Sequence, residues 1–191
     1  MAPTSTPPWP TLPAGRPAGR PATGAAGFSV AVPDGWTDVV LDAATMDRLL
    51  KEVRRADPRF GASLDRQARQ AAAAGGRLLA FETERGGAPN LTVMKSDADG
   101  ATLGDVARGM PGELAKLGVR NLAQERVTIA AGPALRLTYD LDVAGVGLRQ
   151  VMYMLISRGS AFAVTLTSDD PERDGPTPEG IARSFSTSAP A

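Results

Sequence analysis

Leu135-Arg136-Leu137-Thr138-Tyr139-Asp140-Leu141-Asp142-Val143 alternates apolar and polar residues without a break, and the small residues Ala131-Gly132-Pro133-Ala134 lead into it. Successive side chains of an extended chain point to opposite faces. The stretch therefore predicts a strand with Leu135, Leu137, Tyr139, Leu141 and Val143 buried and Arg136, Thr138, Asp140 and Asp142 in water. Ala144-Gly145-Val146-Gly147 turns the chain, and Leu148 to Ile156 returns with apolar residues on both faces, the pattern of a central strand covered on each side. Arg158-Gly159 makes another tight turn before Ala161 to Thr167, where Phe162, Val164 and Leu166 point inward. Three strands joined by such short turns predict an antiparallel meander, and the rest of the chain is read outward from it.

Upstream the period changes repeatedly. Phe28, Val30 and Val32 alternate with Ser29 and Ala31, predicting a short strand that ends at the turn Pro33-Asp34-Gly35. Trp36 follows and is expected to pack over the core edge. Met46, Leu49, Leu50 and Val53 then share one helical stripe, with Asp42 as N-cap and an end near Ala56. A second, alanine-rich helix is expected over roughly 58–74, stopping at Gly75-Gly76. Leu78 to Glu84 and Leu91 to Lys95 read as a hairpin around Arg85-Gly86-Gly87-Ala88-Pro89. Thr102 with Asp105 forms a capping box for a helix carrying Leu103, Val106, Met110, Leu114 and Leu117, which Pro111 is expected to kink or split. A strand over Gln124 to Ile129 leads into the meander, and a short terminal helix carries Ile181 and Phe185 after the acidic loop of Asp169, Asp170, Glu172 and Asp174.

These elements predict an α+β fold in which a twisted, mostly antiparallel sheet carries helices on its faces. Ala2 to Gly27 holds seven of the 16 prolines and four of the 21 glycines, with only Arg16 and Arg20 charged. Such a composition offers little to bury against the entropy of ordering. Residues 1–27 are therefore expected to be a disordered leader, 28–186 a single domain and 187–191 a flexible tail.

Composition restricts the chemistry. With no histidine and no cysteine among 191 residues, the chain has no serine triad, cysteine–histidine dyad, disulfide, haem ligand or common zinc site. Twenty-one basic and 21 acidic side chains cancel, which argues against a dedicated nucleic-acid binder. Locally, the repeat Ala14-Gly15-Arg16-Pro17 and Ala18-Gly19-Arg20-Pro21 leaves weak minor-groove binding through the leader as one alternative function. Asp140 and Asp142, two apart on one strand, leave a metal-assisted enzyme as another. Against both, the residues favour a non-enzymatic module that binds a protein partner. Its candidate contacts are Arg48, Lys51, Arg54 and Arg55 on the first helix and Arg136, Asp140, Asp142 and Arg149 on the sheet. No cofactor is implied. No apolar run is long enough to span a membrane, and Met1 to Pro10 has no signal-peptide pattern. The chain as written is therefore expected in the cytoplasm, or at the cell envelope if the native protein carries an anchor.

The order strand, turn, Trp36, helices, two strands, helix, the segment Ala131 to Tyr139, meander and terminal helix resembles the PsbP/Mog-like superfamily. Its bacterial members include DcrB- and LpqN-type envelope proteins and Eag-type secretion chaperones. The resemblance covers roughly Phe28 to Phe185. It implies a sheet-plus-helix module that acts as an adaptor or chaperone or sits at the envelope. The helical insertion at Asp42 to Ala74 is longer than the family pattern, and a lipobox cysteine is absent. Heavy use of alanine, arginine and glycine is similar to that of actinobacterial proteins.

Overall fold

The computed structural model describes residues 19–24, 27–42, 46–47, 51, 54–55, 58–82, 89–143, 145–174 and 177–187. Strands β1 (Arg20–Gly24), β2 (Phe28–Val32) and β10 (Ser186–Thr187) form a small sheet in the order β1-β2-β10. A larger sheet has the order β3-β4-β5-β9-β8-β7-β6. Its members are β3 (Trp36–Val40), β4 (Gly76–Glu82), β5 (Asn90–Asp97), β6 (Arg120–Ile129), β7 (Gly132–Val143), β8 (Val146–Ser157) and β9 (Ser160–Ser168). Every pairing is antiparallel. The helices are α1 (Pro58–Ala73), α2 (Leu103–Lys116), α3 (Pro171–Asp174) and α4 (Thr177–Ser184). Met46, Asp47, Lys51, Arg54 and Arg55 are helical as well; Leu49, Leu50 and Val53 of the expected stripe lie outside the described residues.

Register assigns each residue to a face, because partners opposite one another project to the same side. Ala80, Leu91, Leu166, Val151 and Thr138 follow one another across β4, β5, β9, β8 and β7 and define the first face. The small sheet and α4 cover it: Phe28, Val30, Val32, Ile181 and Phe185 join Leu78, Leu91, Tyr153, Phe162 and Val164 in one buried cluster. At its centre, Phe185 stacks on Phe28 at 5.8 Å between ring centroids and meets Phe162 edge-on at 5.7 Å. The opposite face carries two separate clusters. Val39, Leu79 and Phe81 pack with Met46 and Ala68 of α1, and Leu135, Leu137 and Tyr139 pack with Leu114 of α2.

Several expectations change against this frame. The disordered leader was expected to extend to Gly27, yet Arg20–Gly24 pairs with β2 along its whole length, from Arg20 opposite Val32 to Gly24 opposite Phe28. Ordering here comes from backbone pairing and from Ala22, which is buried, so a scarcity of large side chains did not forbid it. Gly19 opens the strand with φ +130° and abuts the Val32 carbonyl where a Cβ would collide, so glycine is required there. The arginine of the second Ala-Gly-Arg-Pro repeat is also committed to the domain: the Arg20 guanidinium pairs with Asp38 and donates to the Trp36 carbonyl at 3.4 Å. Arg16 lies outside the described residues.

At the other end the expected tail begins one residue too early, because Thr187 pairs with Phe28 in β10. Trp36, expected only as a cap on the core edge, begins an edge strand and packs there half-buried. Helix α2 runs through Pro111 without splitting there. Proline cannot donate to the Ala107 carbonyl one turn back, and the Gln124 amide Nε2 donates to that oxygen instead at 3.1 Å. The capping box is present, with the Asp105 N–H donating to the Thr102 hydroxyl at 3.2 Å and the Thr102 N–H donating to the Asp105 carboxylate at 2.8 Å.

Candidate functional site

The polar face of β7 was expected to be wet. It is half-covered, because α4 lies over its first half: Ala134 is fully buried, Arg136, Thr138 and Asp140 are partly buried, and only Asp142 is exposed. Arg136 sits opposite Tyr153 and Asp140 opposite Arg149, so antiparallel register sets these groups in one row.

Arg136 is the hub of the covered half. It donates to Glu125 on β6 at 2.6 Å, to Glu179 on α4 at 2.9 Å and to the Tyr153 hydroxyl at 3.3 Å. Burial alone would lower its pKa, but the bonds to Glu125 and Tyr153 and the charge of Glu179 outweigh burial and raise it. The Tyr153 hydroxyl is pushed up to about 12, first by burial and then by the Glu179 carboxylate. On the open half, Asp140 accepts two bonds from Arg149, at 2.8 and 3.1 Å, and one from Asn121 at 2.7 Å. The Arg149 bond first, then that of Asn121, holds the Asp140 carboxyl below its ordinary value. Asp142 lies at the hairpin end, where its carboxylate accepts the Gly145 N–H at 2.9 Å. The two aspartates share a strand face but serve different partners, and among the described residues no three acidic side chains gather to hold a metal ion.

A groove runs over this row. Its inner recess, of about 180 Å³, has Val151, Leu166, Pro171 and Pro178 as apolar walls and Thr138, Ser168, Arg136, Arg149 and Asp174 as polar ones. The outer recess, of about 340 Å³, lies between Arg120, Asn121, Asp140, Gly147, Leu148, Arg149 and Pro171. Arg149 and Pro171 belong to both. Asp174 is buried and accepts from Ser168 Oγ at 2.6 Å, which anchors α3 over the strands.

The other candidates stand apart. Lys51, Arg54 and Arg55 surround a depression with Asp47 and Arg69. Arg54 pairs with Asp65, which also accepts from Arg69 at 2.8 Å, and Arg69 reaches Asp47 at 3.5 Å. Part of the basic surplus is therefore neutralised. Arg48 lies outside the described residues.

Of the eight candidates, Arg136, Asp140 and Arg149 meet in the groove, while Asp142 stands at the hairpin end of the same strand. Arg120, Asn121, Ser168 and Glu179 were not anticipated, and Asp174, expected in an acidic loop, is buried instead. They come from β6, β9, α3 and α4 and converge only through tertiary folding. One local signal existed for Ser168, whose hydroxyl accepts the Asp170 N–H at 2.9 Å in the turn chemistry usual for serine.

No protein-family model and no curated protein matches the chain. Solved structures do. The solution structure of the cyanobacterial PsbP protein CyanoP from Synechocystis sp. PCC 6803 superposes with a TM-score of 0.53 at 15% identity, covering 91% of this chain and 94% of that one. LpqN, involved in cell envelope biogenesis of Mycobacterium tuberculosis, superposes with a TM-score of 0.52 at 14% identity, covering 90% and 86%. A protein from Bacteroides thetaiotaomicron VPI-5482 superposes with a TM-score of 0.52 at 11% identity over 90% of this chain, which spans 49% of that longer one. The chain has the PsbP-like α+β fold, shared with CyanoP and with the LpqN-type proteins. Among the described residues no helix is long and apolar enough to cross a membrane.

Proposed function

We propose that the chain is a non-catalytic binding module, an adaptor, secretion chaperone or envelope-associated protein, that receives a protein partner in the groove over β7, β8 and β9. The observation that carries this reading is the state of the groove's titratable groups. Asp140 is held below its ordinary value by Arg149 and Asn121, Arg136 is held cationic between Glu125 and Glu179, and Asp174 is tied to Ser168 Oγ. Proton transfer near neutral pH needs a group that can change state there. A groove with fixed charges and apolar walls offers recognition instead. The basic cluster at Lys51, Arg54 and Arg55 is the weaker surface, since it has no apolar wall and is partly neutralised by Asp65. The likeness to LpqN favours an envelope role over a cytoplasmic one.

Affinity capture from the native host tests the reading. Pro171→Arg places a long side chain at the exposed mouth shared by both recesses, and it is expected to abolish recovery of the partner while the melting temperature stays unchanged. Arg55→Glu is expected to leave recovery intact. Loss of the partner with Arg55→Glu and not with Pro171→Arg would transfer the function to the basic helices.

A further inference from the structure

The two recesses differ in chemistry, and their junction specifies a ligand. In the outer recess Arg120 and Arg149 face one carboxylate, Asp140, whose oxygens are already taken by Arg149 and Asn121. Arg120 is exposed and sits opposite Asp140 in the β6–β7 register; its charge helps to lower the Asp140 carboxyl, but it forms no hydrogen bond to it, so two guanidinium groups share one carboxylate. The outer recess thus keeps one uncompensated positive charge. That suits a singly charged carboxylate, which a guanidinium binds through two parallel bonds, better than a phosphate near two negative charges.

The inner recess adds a second requirement. Its apolar walls are Val151, Leu166, Pro171 and Pro178, beside the polar Thr138, Ser168, Arg136, Arg149 and Asp174, and its volume is about 180 Å³. It has room for one apolar side chain, not for an extended acyl chain. On its floor the half-buried Thr138 hydroxyl has no hydrogen bond to the other described residues, so it is available to a peptide backbone. Both recesses border Arg149 and Pro171, so one ligand can place its carboxylate in the outer recess and its apolar group in the inner one.

We infer that the groove binds the free carboxyl terminus of a polypeptide whose last side chain is apolar. Arg120 takes the carboxylate, and the recess under Pro171 and Pro178 takes the terminal side chain. This rests on the reading of the groove as the partner site and names what part of the partner enters it.

Fluorescence anisotropy with N-terminally labelled hexapeptides Ser-Gly-Ser-Gly-Ser-Xaa, with Xaa leucine, valine, phenylalanine or aspartate, provides the test. Free-acid peptides ending in an apolar residue are expected to bind at least about tenfold tighter than their C-terminal amides and than the aspartate peptide. Arg120→Gln, an exposed change that leaves the fold intact, is expected to erase the acid-over-amide preference. Equal binding of acid and amide, a preference that survives Arg120→Gln, or no binding of any free acid at about 1 mM would overturn the inference. So would dodecanoate or inorganic phosphate displacing the leucine peptide as well as unlabelled peptide does. A natural partner lost on Pro171→Arg but indifferent to blocking of its carboxyl terminus would refute this inference while leaving the broader reading standing.

Discussion

Asp140 and Arg149 face each other across a two-strand register, and their charges depend on one another. The Arg149 bond is the main reason the Asp140 carboxyl lies below its ordinary value, so Arg149→Gln is expected to raise it, as read from the side-chain carboxyl shift in a pH titration by NMR. A depressed carboxylate adds stability that is present above its unfolded value and is lost as pH falls through the folded one, so the variant should be less stable than the wild type near neutral pH and lose less on acidification. The tyrosines titrate at the other extreme. The chain has only two, Tyr139 and Tyr153, and burial first of all pushes both from 10.0 to about 12. Phenolate absorbance of the folded protein should therefore stay flat through pH 10. The stability these protonated hydroxyls contribute is present below pH 10 and is lost as pH rises toward about 12, so alkaline unfolding belongs to that window. An absorbance step near pH 10 in folded protein would show that one phenol is exposed. At this scale the sequence exposed the alternation that places Arg136, Thr138 and Asp140 on one face. It could not show that Glu179, 43 residues away, would close over Arg136.

Among elements, the meander and α2 were legible because their signals are local: alternation, glycine turns and a capping box from Thr102 to Asp105. In the tight turn between β8 and β9 both residues have positive φ, 52° at Arg158 and 76° at Gly159, as a two-residue hairpin of matching twist demands. Strands β1, β3 and β10 were not legible: β3 and β10 are ordered by partners far along the chain, and β1, although it pairs with the neighbouring β2, carries no periodic signal of its own. Arg20–Gly24 has too few large residues for any periodicity, and β10 is two residues long. Helix α2 shows the same division. Proline forecasts a break, and the carbonyl it leaves without a helical donor is taken up by Gln124, which lies on β6. Removing that donor by Gln124→Ala is expected to cost about 1 kcal/mol in urea denaturation. In a Pro111→Ala background the residue at 111 regains an N–H for the Ala107 carbonyl, and the same change should then cost close to nothing. Equal costs in both backgrounds would show that Gln124 does not substitute for the missing helix bond.

For the whole molecule, the layers are tied together by a few aromatic residues. Phe28, Phe162 and Phe185 come from β2, β9 and the end of α4, and they join the small sheet to the large one. Phe185→Ala is expected to destabilise the protein by about 3–5 kcal/mol. Because the same segment holds α4 over Arg136, amide exchange should rise in α4 and in β7 together. A loss under about 1 kcal/mol would mean that the two sheets are held by other contacts. A platform of this kind, covered on one face by two helices and on the other by a small sheet and a short helix, leaves a groove where the cover ends at Pro171 and Pro178. The most direct test of partner binding there is site-specific photocrosslinking in living cells, with benzoylphenylalanine placed in turn at position 171, at the groove mouth, and at position 55, on the basic cluster. A single protein adduct at 171 and none at 55 is the predicted result; adducts at 55 alone, or at neither position, would contradict it.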